Sequence, residues 1–213
     1  AELDKIAKVG KRTDPDLEAI ANLKPDLILI NNTNKKDEVY ESLAKIAPTV
    51  VTEGTGINWK QDFLLIAAAL GTTEKAEKLM EEYNTKAKSV GQKAGTEKTF
   101  SFLYASADRT RIFAKSSFVG SICVDASLAR PAAAQVEKTS VDLSAEQLDQ
   151  ADGDYLFYGV QGGDESKLTK EALWSTLKAV TEKHAHSVDP DMFFLNAGPA
   201  AALGVLETIE KAL

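Results

Sequence analysis

From Trp59 to Ala94 the chain offers no strand signal, while on both sides of that stretch short apolar runs alternate with helical patterns. A helical stretch set between two α/β stretches restricts the fold to two sheet-and-helix lobes joined by helices. Asn58 can cap a helix that starts at Trp59 and ends near Gly71, and Thr73 can cap a second one reaching about Ala94. In the second helix Ala76, Leu79, Met80, Tyr83, Ala87 and Val90 fall on one stripe, with Lys and Glu elsewhere. At 1.5 Å per residue it is expected to run about 30 Å.

Ahead of this connector, Asp14 as N-cap and Pro15 at the first helical position predict a helix over 14–23, stopped by Pro25. The apolar run 26–30 suits a buried parallel strand, 31–34 is loop chemistry, 35–47 reads as a helix and 49–52 as a short strand. Beyond the connector, strands are predicted at 99–106, 111–114, 154–160 and 186–189. Helices are predicted at 117–129, 144–150, 170–180 and 198–213, the last opened by Pro199. The segments are 1–58, 59–95 and 96–213.

Two stretches align without a gap. LEAIANLKPDLILI (17–30) lies over AEQLDQADGDYLFY (145–158), so that Glu18 meets Glu146, Ile20 meets Leu148 and Asp26 meets Asp154. Each reads as a short helix, a turn and a strand. Either two such units are alike by chance, or an internal duplication gives two lobes of like topology.

Charge and composition exclude several classes. A net charge of −7 argues against a nucleic-acid surface, which needs clustered Lys and Arg. No apolar stretch approaches the roughly 20 residues of a membrane span. Ala1 opens no signal peptide, so an exported protein is expected here in processed form. Cys123 is the single cysteine, expected as a buried packing thiol. Direct metal capture would need a His and carboxylate cluster, whereas only His184 and His186 exist, expected to point apart. The nearest phosphate-loop candidate, VQGGDES (160–166), lacks the required spacings, and no Ser-His-Asp set can be argued. An α/β enzyme and an adhesion module nevertheless stay as rival classes.

Several motifs carry a resemblance in register. VG…PDLEAIANLKPDLILI (9–30), DFLLIAAALGTTEKAEKLMEEY (62–83), RIFAKSSFVGSICVDASLARP (111–131), LSAEQLDQADGDYLF (143–157), LWSTLKAV (173–180) and VDPDMFFLNAGPAAALGVLETI (188–209) resemble, in order, the binding proteins of ferric siderophore, haem and cobalamin ABC importers. The resemblance spans almost the whole chain. It implies an α/β fold of two Rossmann-like lobes with parallel sheets joined by a long connector helix, and no enzymatic activity. It implies an extracytoplasmic location, in the periplasm or lipid-anchored on the outer face of the membrane. Proteins similar to this begin with a further strand–helix–strand unit ahead of the position of Ala1, so the N-terminal lobe is expected to be partial.

The ligand implied is an Fe(III)-siderophore chelate, hydroxamate or mixed-donor types being slightly favoured, with haem or cobalamin as the alternative. No intrinsic cofactor and no protein-ligated metal are expected; the implied partner is the permease dimer of an importer. Ligands of open α/β sheets sit beyond the carboxyl ends of the strands. That rule selects Asn31, Asn32 and Asn34, the stretch Glu53 to Trp59, Ser106 to Arg109, Lys115 to Phe118, and Tyr158 to Gln161. The chain has four arginines, three of them Arg109, Arg111 and Arg130. A guanidinium can grip chelate oxygens with paired hydrogen bonds. Arg130 before Pro131 matches a turn from which, the resemblance implies, an arginine reaches the ligand. Ser117 is expected in the ligand loop, and Phe113, Phe118, Tyr158 and Phe193 are candidate aromatic walls. Phe193 stands where similar proteins often carry a cleft Trp. Trp59 and Trp174 are expected to pack. Glu18 and Glu146 match the glutamates that, by resemblance, dock one lobe each onto the permease.

Overall fold

A computed structural model of the chain describes residues 5–11, 14–32, 37–54 and 56–213. It divides into two compact units, Ala1–Gly54 with Leu64–Thr73, and Thr55–Phe63 with Glu74–Leu213.

In the first unit β1 (Gly10–Lys11) and β2 (Asp14–Pro15) form an antiparallel hairpin, followed by α1 (Leu17–Asn22). The helix expected from Asp14 starts later because Asp14 and Pro15 are taken by the hairpin. Asp16 caps instead, its Oδ1 accepting the Ala19 N–H at 2.9 Å. β3 (Ile28–Asn31) pairs in parallel with β4 (Thr49–Thr52), and α2 (Asp37–Ala44) connects them. Ile20, Ile28, Leu43 and Ala47 form this unit's buried core.

α3 (Trp59–Ala69) and α4 (Thr73–Ala94) occupy the predicted helical stretch. Ala76, Met80, Tyr83, Ala87, Val90 and Ala94 are the buried stripe of α4, close to the predicted one. Trp59 and Tyr83 meet edge to face with ring centres 5.0 Å apart. The Trp59 indole N–H donates to Ser121 Oγ at 3.1 Å. Asp125 accepts from Lys60 Nζ at 2.7 Å and from the Tyr83 hydroxyl at 2.6 Å. Burial and then the Asp125 carboxylate push the Tyr83 hydroxyl far above its usual pKa.

The second unit is built on one five-stranded sheet, ordered β7-β6-β5-β8-β9. β5 (Phe100–Ala105), β8 (Tyr155–Val160) and β9 (Ala185–Ser187) run parallel. β6 (Thr110–Phe113) and β7 (Ser140–Leu143) join on the other side as antiparallel strands. Residues two apart on a strand share a face. Phe100, Phe102, Tyr104, Tyr155 and Phe157 therefore pack on one side, with α5 (Phe118–Asp125) and α8 (Pro199–Ala212). Leu103, Ile112, Leu156, Tyr158 and Val160 pack on the other, with α6 (Ser166–Thr169) and α7 (Lys178–Thr181). Each fully buried Phe or Leu contributes about 1.5–3 kcal/mol, so both faces matter to stability.

The predicted helix over 170–180 is broken into a 3-10 turn, Trp174–Thr176, and α7. Leu177 is extended between them, and the Asp152 carboxylate accepts from the N–H groups of Lys178 and Ala179, so a new helix starts there. The helix predicted over 117–129 ends at Asp125, with Ser127 at φ 54° closing it. The repeat keeps its form. A 3-10 helix Ala145–Ala151 and β8 stand where α1 and β3 stand in the first copy, and Ile20 and Leu148 are both buried.

Candidate functional site

Because β5, β8 and β9 are parallel, their carboxyl ends lie along one edge, and antiparallel β6 begins at that edge. A tight turn joins β5 to β6, closed by the Ser106 N–H donating to the Arg109 carbonyl at 2.8 Å. Arg111 follows two residues later, directly opposite Tyr104 in the ladder. Its guanidinium carbon lies 5.2 Å from the Tyr104 ring centre and 5.6 Å from that of Phe113. The Arg111 Nε is buried and has no hydrogen-bond partner. A shielded donor of this kind calls for an acceptor, which an incoming oxygen can supply.

Phe194 completes the aromatic group, with ring centres 5.4 Å from Tyr104 and 4.9 Å from Phe113. Leu195 beside it is 53% exposed. Both belong to a π-helical turn, Asp191–Leu195, in the segment that follows β9. Gly159 on β8 permits the approach: a Cβ there would stand 2.9 Å from the Phe194 ring.

Arg109 is placed on the same edge but is engaged, its Nε and Nη2 donating to Asp142 of β7 at 2.8–3.0 Å. Arg130 is turned inward, which corrects the expectation that it reaches a ligand. It is 9% exposed, its Nε donates to the Phe100 carbonyl at 2.7 Å and its Nη2 to the Phe113 carbonyl at 2.6 Å, and the guanidinium lies over Phe102. The neighbouring Cys123 is buried, and desolvation raises its thiol pKa although Arg130 pulls the other way.

Ser117 is likewise corrected. Fully buried, its hydroxyl accepts the Gly120 N–H and donates to the Ala114 carbonyl, which caps α5. Phe118 is buried against Trp59 and Phe193 is buried between Phe102 and Phe157, so neither presents a free ring. Tyr158 lies on the opposite sheet face from Arg111, edge to face with Trp174. Its hydroxyl donates to Glu165 at 3.0 Å, and its pKa is pushed up to about 12, first by burial and then by that carboxylate. Trp174 is buried in that core, as expected.

In the first unit the Asn32 Nδ2 donates to Glu53 Oε2 at 3.0 Å, joining the carboxyl ends of β3 and β4. Gly54 at φ +68° follows, and a Cβ there would stand 2.4 Å from that of Asn31. Asn34 and Thr55 lie outside the described residues. A hollow of about 560 Å³ in this unit is lined mostly by aliphatic residues such as Val9, Ile20, Leu23 and Leu43, with Lys11, Asn31 and Thr52 as its polar members. Glu18 and Glu146 are both exposed in the first turns of their helices.

His184 and His186, expected to diverge, both stack on Tyr155, with ring centres 4.7 and 6.5 Å away. Residues two apart in extended chain share a side. Among the described residues no three His, Cys, Asp or Glu side chains come together as a metal site, and no helix is long and apolar enough to cross a membrane. Sequence reasoning missed Tyr104, Phe194 and Asp142. The alternation of Phe100, Phe102 and Tyr104 was the available signal for Tyr104, while Phe194 depends on a π-turn that shifts the helical period.

Comparison with known proteins matches the chain to one family. A family model described as periplasmic binding protein matches residues 1–192. The probable siderophore-binding lipoprotein YfiY of Bacillus subtilis (strain 168) is 34% identical in an alignment of 223 positions, gaps included, that covers 96% of this chain and 68% of that protein. The iron(3+)-hydroxamate-binding protein FhuD of the same organism is 29% identical in an alignment of 220 positions, gaps included, that covers 98% of this chain and 68% of its own. The crystal structure of Staphylococcus aureus SirA superposes with a TM-score of 0.84 at 28% identity, over 100% of this chain and 84% of that one. SirA complexed with staphyloferrin B gives 0.83 at 27%, over 99% and 79%. With its α/β fold, its long helix and its match along most of its length, the chain belongs to the periplasmic binding protein family.

Proposed function

We propose that the chain is the capture component of an ABC iron importer, holding a ferric siderophore at the carboxyl edge of the second unit's sheet. It is a binding protein and not an enzyme, and it works outside the cytoplasm. The observation that carries the site is Arg111, whose guanidinium is laid over Tyr104 and Phe113 and keeps a buried, unpartnered Nε. Such an arginine offers directed donors to chelate oxygens and exposed Leu195 offers an apolar face to the chelator's arms, while the buried rings of Tyr104, Phe113 and Phe194 back the guanidinium and, contrary to expectation for Phe113, form no open wall. The siderophore named for YfiY and the staphyloferrin B bound in SirA support this ligand class.

Iron stays with the chelator's own oxygens in this reading, and the protein supplies shape and hydrogen bonds. A net charge of −7 and similarity to a hydroxamate-binding relative support a hydroxamate or mixed-donor chelate over a highly anionic one. Arg109 is the second ligand arginine of this edge. Glu18 and Glu146, exposed and related by the repeat, serve to dock onto the permease dimer. Fluorescence titration with neutral trihydroxamate, citrate and catecholate complexes of Fe(III) tests the reading, since Trp59, Trp174 and the tyrosines report quenching. Saturable quenching by at least one complex is expected, and none by any would refute the reading.

A further inference from the structure

We infer that Asp142 is a charge selector, set beside the ligand arginines to limit how much negative charge the site accepts. The inference rests on the proposed site and names its specificity. Asp142 stands opposite Arg111 in the β6–β7 ladder, so both side chains project from the same sheet face. Its carboxylate nevertheless goes to Arg109, with three contacts of 2.8–3.0 Å, while Arg111 Nε keeps no partner. Two arginines and one aspartate on adjoining positions leave a single net positive charge where the arginines alone would present two.

Exposure decides how this cluster behaves. Arg109 and Asp142 side chains are 48% and 60% exposed, and an exposed ion pair is held weakly in water. Arg109 can therefore exchange its carboxylate partner for a chelate oxygen at little cost, as the inward-turned Arg130 cannot. The aspartate does not leave when Arg109 lets go, because it is fixed in β7 between Val141 and Leu143. Its charge stays beside the ligand and repels a polyanionic chelate more than a neutral one. Discrimination of this kind comes from a repulsive element built next to an attractive one.

The test compares two probes on the whole chain, a neutral ferric trihydroxamate and ferric dicitrate, in wild type and in Asp142→Asn. At contact distances in a largely aqueous setting, one removed charge should shift the affinity ratio toward the dicitrate by about two- to tenfold. The shift should shrink in high salt, as screening requires. Asp142→Thr, which keeps strand propensity, should shift the ratio the same way and separates charge from local packing. An unchanged ratio in both variants, with binding of either chelate intact, overturns the selector and leaves the binding function standing. A wild-type chain that binds neither chelate overturns the selector, and the binding function falls with it only if the ferric catecholate complex also fails to bind.

Discussion

Arg111 and Tyr104 face each other across two antiparallel strands, the guanidinium carbon 5.2 Å from the ring centre. The pairing explains how a charged group is tolerated at the margin of an aromatic core. The ring's negative face stabilises the cation, while the buried Nε still lacks an acceptor. An unsatisfied donor in a partly shielded place costs free energy that a ligand oxygen can restore.

Replacing Arg111 by Lys keeps the charge but loses the planar fork. Affinity for the ferric chelate should fall by about ten- to a hundredfold, the equivalent of roughly 1.5–3 kcal/mol. Titration calorimetry checks this, and an unchanged affinity would remove Arg111 from the site.

Arg130→Lys should act on stability. The guanidinium joins the Phe100 and Phe113 carbonyls, and a lysine ammonium cannot reproduce both bonds in that planar geometry. A loss of about 1–3 kcal/mol is expected for each carbonyl left unpaired, read from urea unfolding midpoints. A variant as stable as wild type would show that this arginine is not a strut.

His186 should make stability depend on pH. Burial, and then the neighbouring His184, hold its pKa below the usual value, and its Nε2 is buried without a partner. The unfolded chain takes up a proton at about pH 6.5, while the folded one resists until a lower pH. Stability is therefore full above about pH 6.5 and falls as pH drops toward the folded value. His186→Phe, which preserves the stack on Phe157, should flatten that slope between about pH 7.5 and 5.5 in thermal melts. An unaltered slope would mean that other groups set it.

The parts of the fold readable from sequence were those set by local periodicity. The α4 stripe, the apolar run at 26–30 and the repeat led directly to helices and strands in the expected order. What the sequence hid was fixed from a distance. The break before Lys178 depends on Asp152, and the pairing of Ser140–Leu143 depends on β6. Site residues divided the same way. The arginine cluster was visible by position, but which arginine turns inward is decided by carbonyls that Arg130 meets only in the folded chain. Phe193 and Phe194 were inseparable until the π-turn pointed one ring into the core and the other toward Arg111's neighbours.

Glu18 and Glu146 allow capture and delivery to be separated. Glu18→Ala combined with Glu146→Ala should leave chelate affinity nearly unchanged while impairing uptake by the assembled importer, since rim charges govern encounter with a partner. Each single change should be milder. Stability should fall by no more than about 0.3–1 kcal/mol, the contribution of a carboxylate near a helix N-terminus. Normal uptake by the double variant would end the docking assignment.

The protein should bind iron only through a chelator. Calorimetric titration of the chain with a ferric siderophore, with the same chelator free of iron, and with Fe(III) presented by a weak chelator tests it directly. One ferric siderophore per chain is expected, with much weaker binding of the iron-free chelator and no transfer of iron to the protein. Uptake of bare Fe(III) by the chain, or indifference to all three, would contradict it.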